Sequence, residues 1–278
     1  MDDYELIDSG DGRKLERFGA VTLARPCSQA LWRPDRADAW AHATATFDRD
    51  DGNRWHGRGR LPESWTAEIS GIRFRLSGTD FGHLGVFPEQ RAQWRWIRET
   101  IRAAAAARPE PPTLLNLFAY SGGSTLAAAQ GGAAACHLDA SKGMVQWARE
   151  NAALNGLSGR PIRWIADDVH KFCERELRRD RRYDAIVLDP PTFGRGANGE
   201  TYKIERDLAR TLGLVKSLLS ERPLFVLFSS HTPGLSPTVA ENVIAQAFPA
   251  ARVESGEMLL EGAGRPCPSG VYCRAVFK

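Results

Sequence analysis

The chain has 278 residues, with 37 Lys and Arg against 34 Asp and Glu, for a formal net charge of +3. That length buries one large core or a medium and a small one, and the charge is too small to demand a nucleic-acid partner. No apolar run approaches the roughly 20 residues that cross a bilayer. The start, MDDYELIDSG, lacks a basic-then-apolar leader, so a cytoplasmic location with no membrane contact is expected. The 5 cysteines are scattered without a CxxC pair. This pattern excludes a disulfide framework and reads as reduced thiols, with no metal expected.

Taken in chain order, residues 1–80 are rich in turns and tryptophan and carry 12 Lys and Arg against 14 Asp and Glu. YELIDSGDGRKLERFGAVTLARP reads as two short strands around Gly10-Asp11-Gly12, and TAEISGIRFRLSG as a hairpin turning at Ser70-Gly71. Trp32, Trp40, Trp55 and Trp65 either pack this small module or stack bases. RWHGRGR combines arginines, glycines and an aromatic, so Arg54, Arg58 and Arg60 are candidate RNA contacts.

After residue 80 strands and helices alternate. TLLNLF, AAACHLD, PIRWIAD, DAIVLD and PLFVLFSS are strands; STLAAAQGG, SKGMVQWARENAALNG and RDLARTLGLVKSLLS are helices; GVYCRAVFK is a last, antiparallel strand. Apolar runs without alternation, separated by amphipathic helices, predict a parallel sheet covered on both faces. The expected fold is therefore α/β: a Rossmann-like sheet with helices on both faces over residues 81–278, preceded by a small β-rich domain over 1–80. RELRRDRR, at 175–182, is either a solvated helix face or a phosphate-contacting patch.

In such a sheet, ligands sit at the carboxyl ends of the strands near the switch point. The first parallel strand runs into AYSGGST, where Gly122 and Gly123 permit a close backbone approach. The second ends at Asp139, sixteen residues past Gly123, where a carboxylate can accept both hydroxyls of a ribose. The third ends at Asp167-Asp168, suited to an adenine amino group. The fourth stops at Asp189-Pro190-Pro191, where neither proline donates to a ladder. A nicotinamide cofactor would favour G-x-G-x-x-G, absent here, and has no use for that proline corner. S-adenosylmethionine needs no pyrophosphate cradle, and its methyl would point at a rigid acceptor wall there.

LNLFAYSGGST, LDASKGMVQWARENAALNGL, ADDVHKF and DAIVLDPPTFGRG resemble the class I S-adenosylmethionine-dependent methyltransferases. More narrowly, the chain is similar to the bacterial large-subunit rRNA methyltransferases that act on cytosine C5 and to their N7-guanine relatives. The resemblance runs from about residue 80 to the end, and the preceding hairpins are similar to the β-rich module of the cytosine group. It implies cofactor contacts from Phe118, Ala119, Tyr120, Ser121, Gly122, Gly123 and Ser124, from Asp139, Ala140 and Ser141, and from Asp167, Asp168 and Asp189. Gln90 matches the position where the family covers the cofactor.

Two departures from the family are expected to matter. The chain starts too late for the N-terminal RNA-binding module of the PUA type. The cysteine that attacks cytosine C6 in C5 methylation is also missing: Ser229, Ser230 and His231 follow PLFVLF at its place. Cys173 and Cys273 read as small buried apolar residues. A nitrogen acceptor already has a lone pair and needs alignment rather than activation. The expected reaction is therefore methyl transfer to a base of ribosomal or other structured RNA, with nitrogen favoured over cytosine C5. Asp189, Pro190 and Pro191 form the acceptor corner, and Phe193 stacks on the base. The alternatives are a small-molecule or protein methyltransferase, or a non-catalytic partner that keeps the cofactor pocket. Oligomeric state is not legible.

Overall fold

The computed structural model describes residues 2–196 and 199–278. They divide into two compact units, one of residues 1–92 with 259–269, the other of 93–258 with 270–278. In the first unit, β1 (Tyr4–Gly10), β2 (Arg13–Phe18), β3 (Val21–Pro26), β4 (Ala45–Asp48) and β5 (Arg54–His56) form a sheet in that order. A separate hairpin joins β6 (Trp65–Ile69) to β7 (Ile72–Leu76). Both hairpins read from the sequence are present. Gly10 pairs with Arg13 across Asp11-Gly12, and Ile69 with Ile72 across Ser70-Gly71. All four turn residues have positive φ, the geometry that matches the right-handed twist of the flanking strands. The first segment holds three strands rather than two, because the chain reverses again at Gly19-Ala20 to start β3.

The core of this unit includes a buried charge pair. Glu16 accepts from Arg25 Nε at 2.9 Å and Nη2 at 2.7 Å, and from the Tyr4 hydroxyl at 3.1 Å. The tryptophans serve packing and anchoring. The Trp40 indole donates to Asp8 at 2.9 Å, Trp32 to the Ser9 carbonyl at 2.8 Å, and Trp55 to the Thr79 carbonyl at 2.7 Å. Asp8 also accepts the backbone N–H groups of Ser9, Asp35 and Arg36. Burial pushes its pKa up, but these donors outweigh burial and leave it below the usual carboxylate range.

The next elements are α1 (Arg91–Ala106), β8 (Thr113–Leu117), α2 (Gly123–Gly131), β9 (Ala134–Asp139), α3 (Lys142–Leu154), β10 (Ile162–Ala166), α4 (Val169–Arg178) and β11 (Ala185–Leu188). Then come β12 (Phe193–Arg195), β13 (Thr201–Lys203), α5 (Ile204–Leu218), β14 (Phe225–Ser230), α6 (Pro237–Ala247), β15 (Arg252–Leu260) and β16 (Cys267–Val276). The sheet order is β10-β9-β8-β11-β14-β16-β15. Pairing is parallel from β10 to β14, and β16 runs antiparallel to β14. The chain starts in the middle, winds outward to β10, then crosses to β11, so the switch point lies between β8 and β11. Register brings Leu117, Leu138 and Leu188 level, and Ala166 opposite Asp139. Four strand ends therefore open along one edge.

The buried strands explain the continuous apolar runs. All four residues of β11 and all six of β14 are buried, and Phe172, Leu212, Val215 and Ile244 from α4, α5 and α6 share a core cluster with Ile186 and Phe228. Three of the five arginines in 175–182 have carboxylate partners: Arg175 with Asp167 at 2.7 Å, Arg179 with Glu176 at 3.9 Å, and Arg182 with Asp180 at 3.0 Å. Among the described residues no helix is long and apolar enough to cross a membrane.

Gly123 has a packing reason. A Cβ there would lie 2.5 Å from the Trp94 ring of α1, well inside contact distance. Gly123→Ala is expected to cost about 1–3 kcal/mol of stability through overpacking. A double-mutant cycle in denaturant with Trp94→Ala should show strong coupling; strictly additive effects would contradict the clash.

Candidate active site

The site grows from the end of β9. The Asp139 carboxylate accepts the Tyr120 N–H at 2.8 Å through Oδ2 and the Ser141 N–H at 2.9 Å through Oδ1. One side chain thus ties the loop after β8 to the start of α3. Burial pushes its pKa up, and the two backbone donors only partly offset that. A carboxylate oxygen has more than one lone pair, so capacity for two hydroxyl donors is left.

The loop after β8 is strained. Phe118 has φ 56° and Tyr120 φ 50°, left-handed values that bulky residues resist. Such strain persists only where its surroundings over-determine it. Here the Ala119 N–H donates to the Leu138 carbonyl at 3.0 Å, and Asn151 of α3 donates to the Ser121 carbonyl at 3.0 Å. Beneath the loop, Asn116 donates to the Thr125 hydroxyl at 2.9 Å, which lies 3.0 Å from His137 Nδ1. Burial brings the His137 pKa down to about 3, against a smaller opposing effect of the Tyr120 carbonyl. A neutral imidazole is thus locked under the turn. Gly122, at φ 97°, would put a Cβ 3.1 Å from that of Ala148. Gly123 is thus fitted closely against α1, and Gly122 holds a left-handed backbone packed near α3.

The acidic pair after β10 is already engaged. Asp168 caps α4, accepting the Lys171 N–H at 3.0 Å. Asp167 pairs with Arg175, and its own N–H donates to the Asp139 carbonyl at 3.1 Å. Ser141 caps α3 in the same manner, through the Met144 N–H at 3.3 Å. Ala140 stands exposed between Asp139 and that cap.

At the end of β11, the Asp189 N–H makes a last, long contact with the Leu117 carbonyl at 3.4 Å. Pro190 is buried and Pro191 exposed; neither has an N–H to extend the ladder, so the sheet opens here. Phe193 follows on β12 with 50% of its surface exposed. The β12–β13 hairpin was not foreseen in the sequence. Its Tyr202 packs edge-on to Phe118, ring centres 5.0 Å apart, and so links the acceptor side to the strained loop. The loop after β14 meets this corner: Ser230 donates to the Thr232 hydroxyl at 3.0 Å, which lies 2.9 Å from that of Thr192. His231 Nδ1 is 3.6 Å from Asp189 Oδ1, a neighbour the sequence did not reveal.

Phe118 to Ser124, Asp139 to Ser141, Asp167, Asp168, Asp189 and Phe193 thus all belong to the second unit and leave from one sheet edge. Gln90 lies in the first unit, buried in the turn Pro88–Gln90. Arg54, Arg58 and Arg60 are there too. Arg58 pairs with Asp80 at 2.7 Å and Arg54 sits 4.0 Å from Asp51. Among the described residues no cluster of three His, Cys, Asp or Glu could hold a metal ion.

An open sheet of this order, with acidic residues ending successive strands beside a strained turn, defines a Rossmann-like α/β unit. The family model for S-adenosylmethionine-dependent methyltransferases matches residues 30–250, and the chain belongs to that family. A crystallised S-adenosylmethionine-dependent methyltransferase from Agrobacterium tumefaciens is 37% identical, with a TM-score of 0.92 over 100% of this chain and 91% of that one. Ribosomal RNA large subunit methyltransferase K of Neisseria meningitidis is 28% identical over 86% of this chain and 68% of its own length. The K/L protein of Shewanella frigidimarina is 33% identical over 73% of this chain. The chain matches only 27% of that longer relative.

If Asp139 is what holds the strained turn, Asp139→Ala should raise amide hydrogen exchange at Tyr120 and Ser141 at least about tenfold, equivalent to roughly 1.4 kcal/mol of lost local protection. Exchange in β8 and β11 should not change. Unaltered protection at Tyr120 would remove the carboxylate from that role.

Proposed function

We propose that this chain methylates a base of ribosomal RNA, at nitrogen rather than at cytosine C5, in the cytoplasm. The residues fit the cofactor: the carboxylate left with acceptor capacity at the end of β9 suits a ribose diol, and the turn above it is held open by bonds from Asp139 and Asn151. In this reading Asp139 takes the ribose hydroxyls, and the backbone from Phe118 to Ser124 with Ala140 and Ser141 lines the cofactor. Asp167 and Asp168 face the adenine. S-adenosylmethionine supplies an electrophilic methyl carbon on a sulfonium.

The protein's part is positioning. Asp189 accepts a hydrogen bond from the amino group of the target base, the Pro190 carbonyl accepts another, Pro191 stiffens the corner and Phe193 stacks on the ring. The aligned lone pair needs no further activation, and proximity supplies much of the rate. The rRNA substrate is supported by what the Neisseria and Shewanella relatives are called.

The nitrogen preference is carried by the thiols. C5 methylation needs a thiolate to attack C6. The end of β14 and the residue after it offer Ser229, Ser230 and His231 instead, and burial pushes the second unit's thiols up, Cys136 to about 11 and Cys173 and Cys273 to about 12. Such buried thiols are inert.

Methyl-labelled S-adenosylmethionine, incubated with rRNA from a strain lacking this protein and digested to nucleosides, should place label in an N-methylated nucleoside. Labelled 5-methylcytidine would overturn the acceptor. Label in a small molecule or a protein, with none in RNA, would overturn the substrate. In the first unit Arg54, Arg58 and Arg60 are offered as RNA contacts. Reversing Arg58 and Arg60 to Glu should weaken rRNA binding severalfold, and most at low salt, with cofactor affinity unchanged. Equal RNA affinity would dismiss them.

A further inference from the structure

The first unit holds a pair of thiols that the methyl-transfer chemistry does not use. Cys27 follows β3 directly, and Cys267 opens β16; they are 240 positions apart in sequence, yet their sulfurs lie 3.1 Å from each other. Two unbonded sulfurs this close need only about 1 Å of further approach to reach the roughly 2.05 Å of a disulfide. The backbone around Cys27 is held on both sides. Its N–H donates to the Gly12 carbonyl at 2.7 Å, and its own carbonyl accepts from Ala30 at 3.0 Å. Cys27 is partly exposed and Cys267 fully buried, so a reagent from solvent meets Cys27 first.

The electrostatics favour the same division of labour. The hydrogen bond between the two sulfurs, in which either can be the donor, brings the Cys27 pKa down to about 7 with help from the Lys14 charge, despite opposing burial and the Glu16 carboxylate. The same contact, together with burial, pushes Cys267 up. Lys14 is itself paired with Glu16 at 3.2 Å. Cys27 is partly exposed and in contact with Cys267, whereas Cys136, Cys173 and Cys273 are buried.

We infer that Cys27 and Cys267 form a site of reversible oxidation at which a hydroperoxide converts two thiols into a disulfide. The Cys27 thiolate attacks one oxygen of hydrogen peroxide. The O–O bond breaks, and the leaving hydroxide takes up a proton as the first water. Cys27 is then a sulfenic acid. The Cys267 sulfur attacks the Cys27 sulfur, the S–O bond breaks, and the leaving hydroxide takes the Cys267 proton as the second water. Two thiols and one peroxide give one disulfide and two waters. The bond closes a loop of most of the chain, joining the two stretches of sequence that build the first unit, and a loop that long restricts the unfolded state strongly.

The test treats the full-length protein with hydrogen peroxide at pH 7, then digests it without reductant for peptide mass spectrometry. A Cys27–Cys267 linked pair, two hydrogens lighter than the free peptides and lost on adding a thiol reductant, is expected, with a higher melting temperature for the oxidised protein. In Cys267→Ser, dimedone should label Cys27 as the trapped sulfenic acid. Should that variant not fold, the wild-type protein provides the second reading: iodoacetamide at pH 7 should alkylate Cys27 at least about tenfold faster than Cys136, Cys173 or Cys273. A link through another cysteine, Cys27 driven to sulfinic acid with no link, no loss of thiols under peroxide, or equal alkylation rates would each overturn the inference.

Discussion

The architecture of the catalytic unit depends on one carboxylate. Asp139 sits at the end of a buried strand, where losing water disfavours its charge, and it keeps that charge useful by accepting two backbone N–H groups from different loops. Those bonds fix Tyr120 in a conformation that costs about 1–3 kcal/mol in isolation. The strained turn, the neutral His137 under it and Asn151 beside it are then a single hydrogen-bonded assembly. The same side chain that shapes the turn retains lone pairs beyond those two bonds, at the open end of the strand.

The corner at the end of β11 is rigid for a different reason. Prolines end β11 by withholding donors, and the resulting corner is braced by hydroxyls, Thr192 after β11 meeting Thr232, which accepts from Ser230 at the end of β14. Ser230, the last residue of β14, is a donor in that brace. His231, 3.6 Å from Asp189, places an imidazole at the same corner.

The parallel sheet was legible because each of its central strands is buried on both faces, leaving uninterrupted runs such as AIVL and FVLFSS. The hairpins were legible from the Asp11-Gly12 and Ser70-Gly71 pairs, whose left-handed φ values the turn demands. Helix α1 was hidden: its buried stripe is Gln93, Trp94, Ile97 and Ile101, set among exposed arginines, and one of its core positions is an amide. The segment from 27 to 60 has only the short alternation of β4, and part of its fold rests on backbone and indole bonds to Asp8 that no local pattern shows. In the site, strand-end carboxylates could be placed from topology alone. The β12–β13 hairpin, Asn151 and the Asp189–His231 approach could not, because they depend on loop paths that no local pattern encodes. The packing of Gly123 against Trp94 and of Gly122 near Ala148 could not be read from the sequence, because it depends on where α1 and α3 dock.

The most direct measurement is isothermal titration of the purified protein with S-adenosylmethionine and with S-adenosylhomocysteine. The account predicts one molar equivalent bound in each case, with binding strongly weakened when Asp139 is replaced by Ala in a protein that still folds. An absence of heat accompanied by no shift in melting temperature for either compound would contradict it.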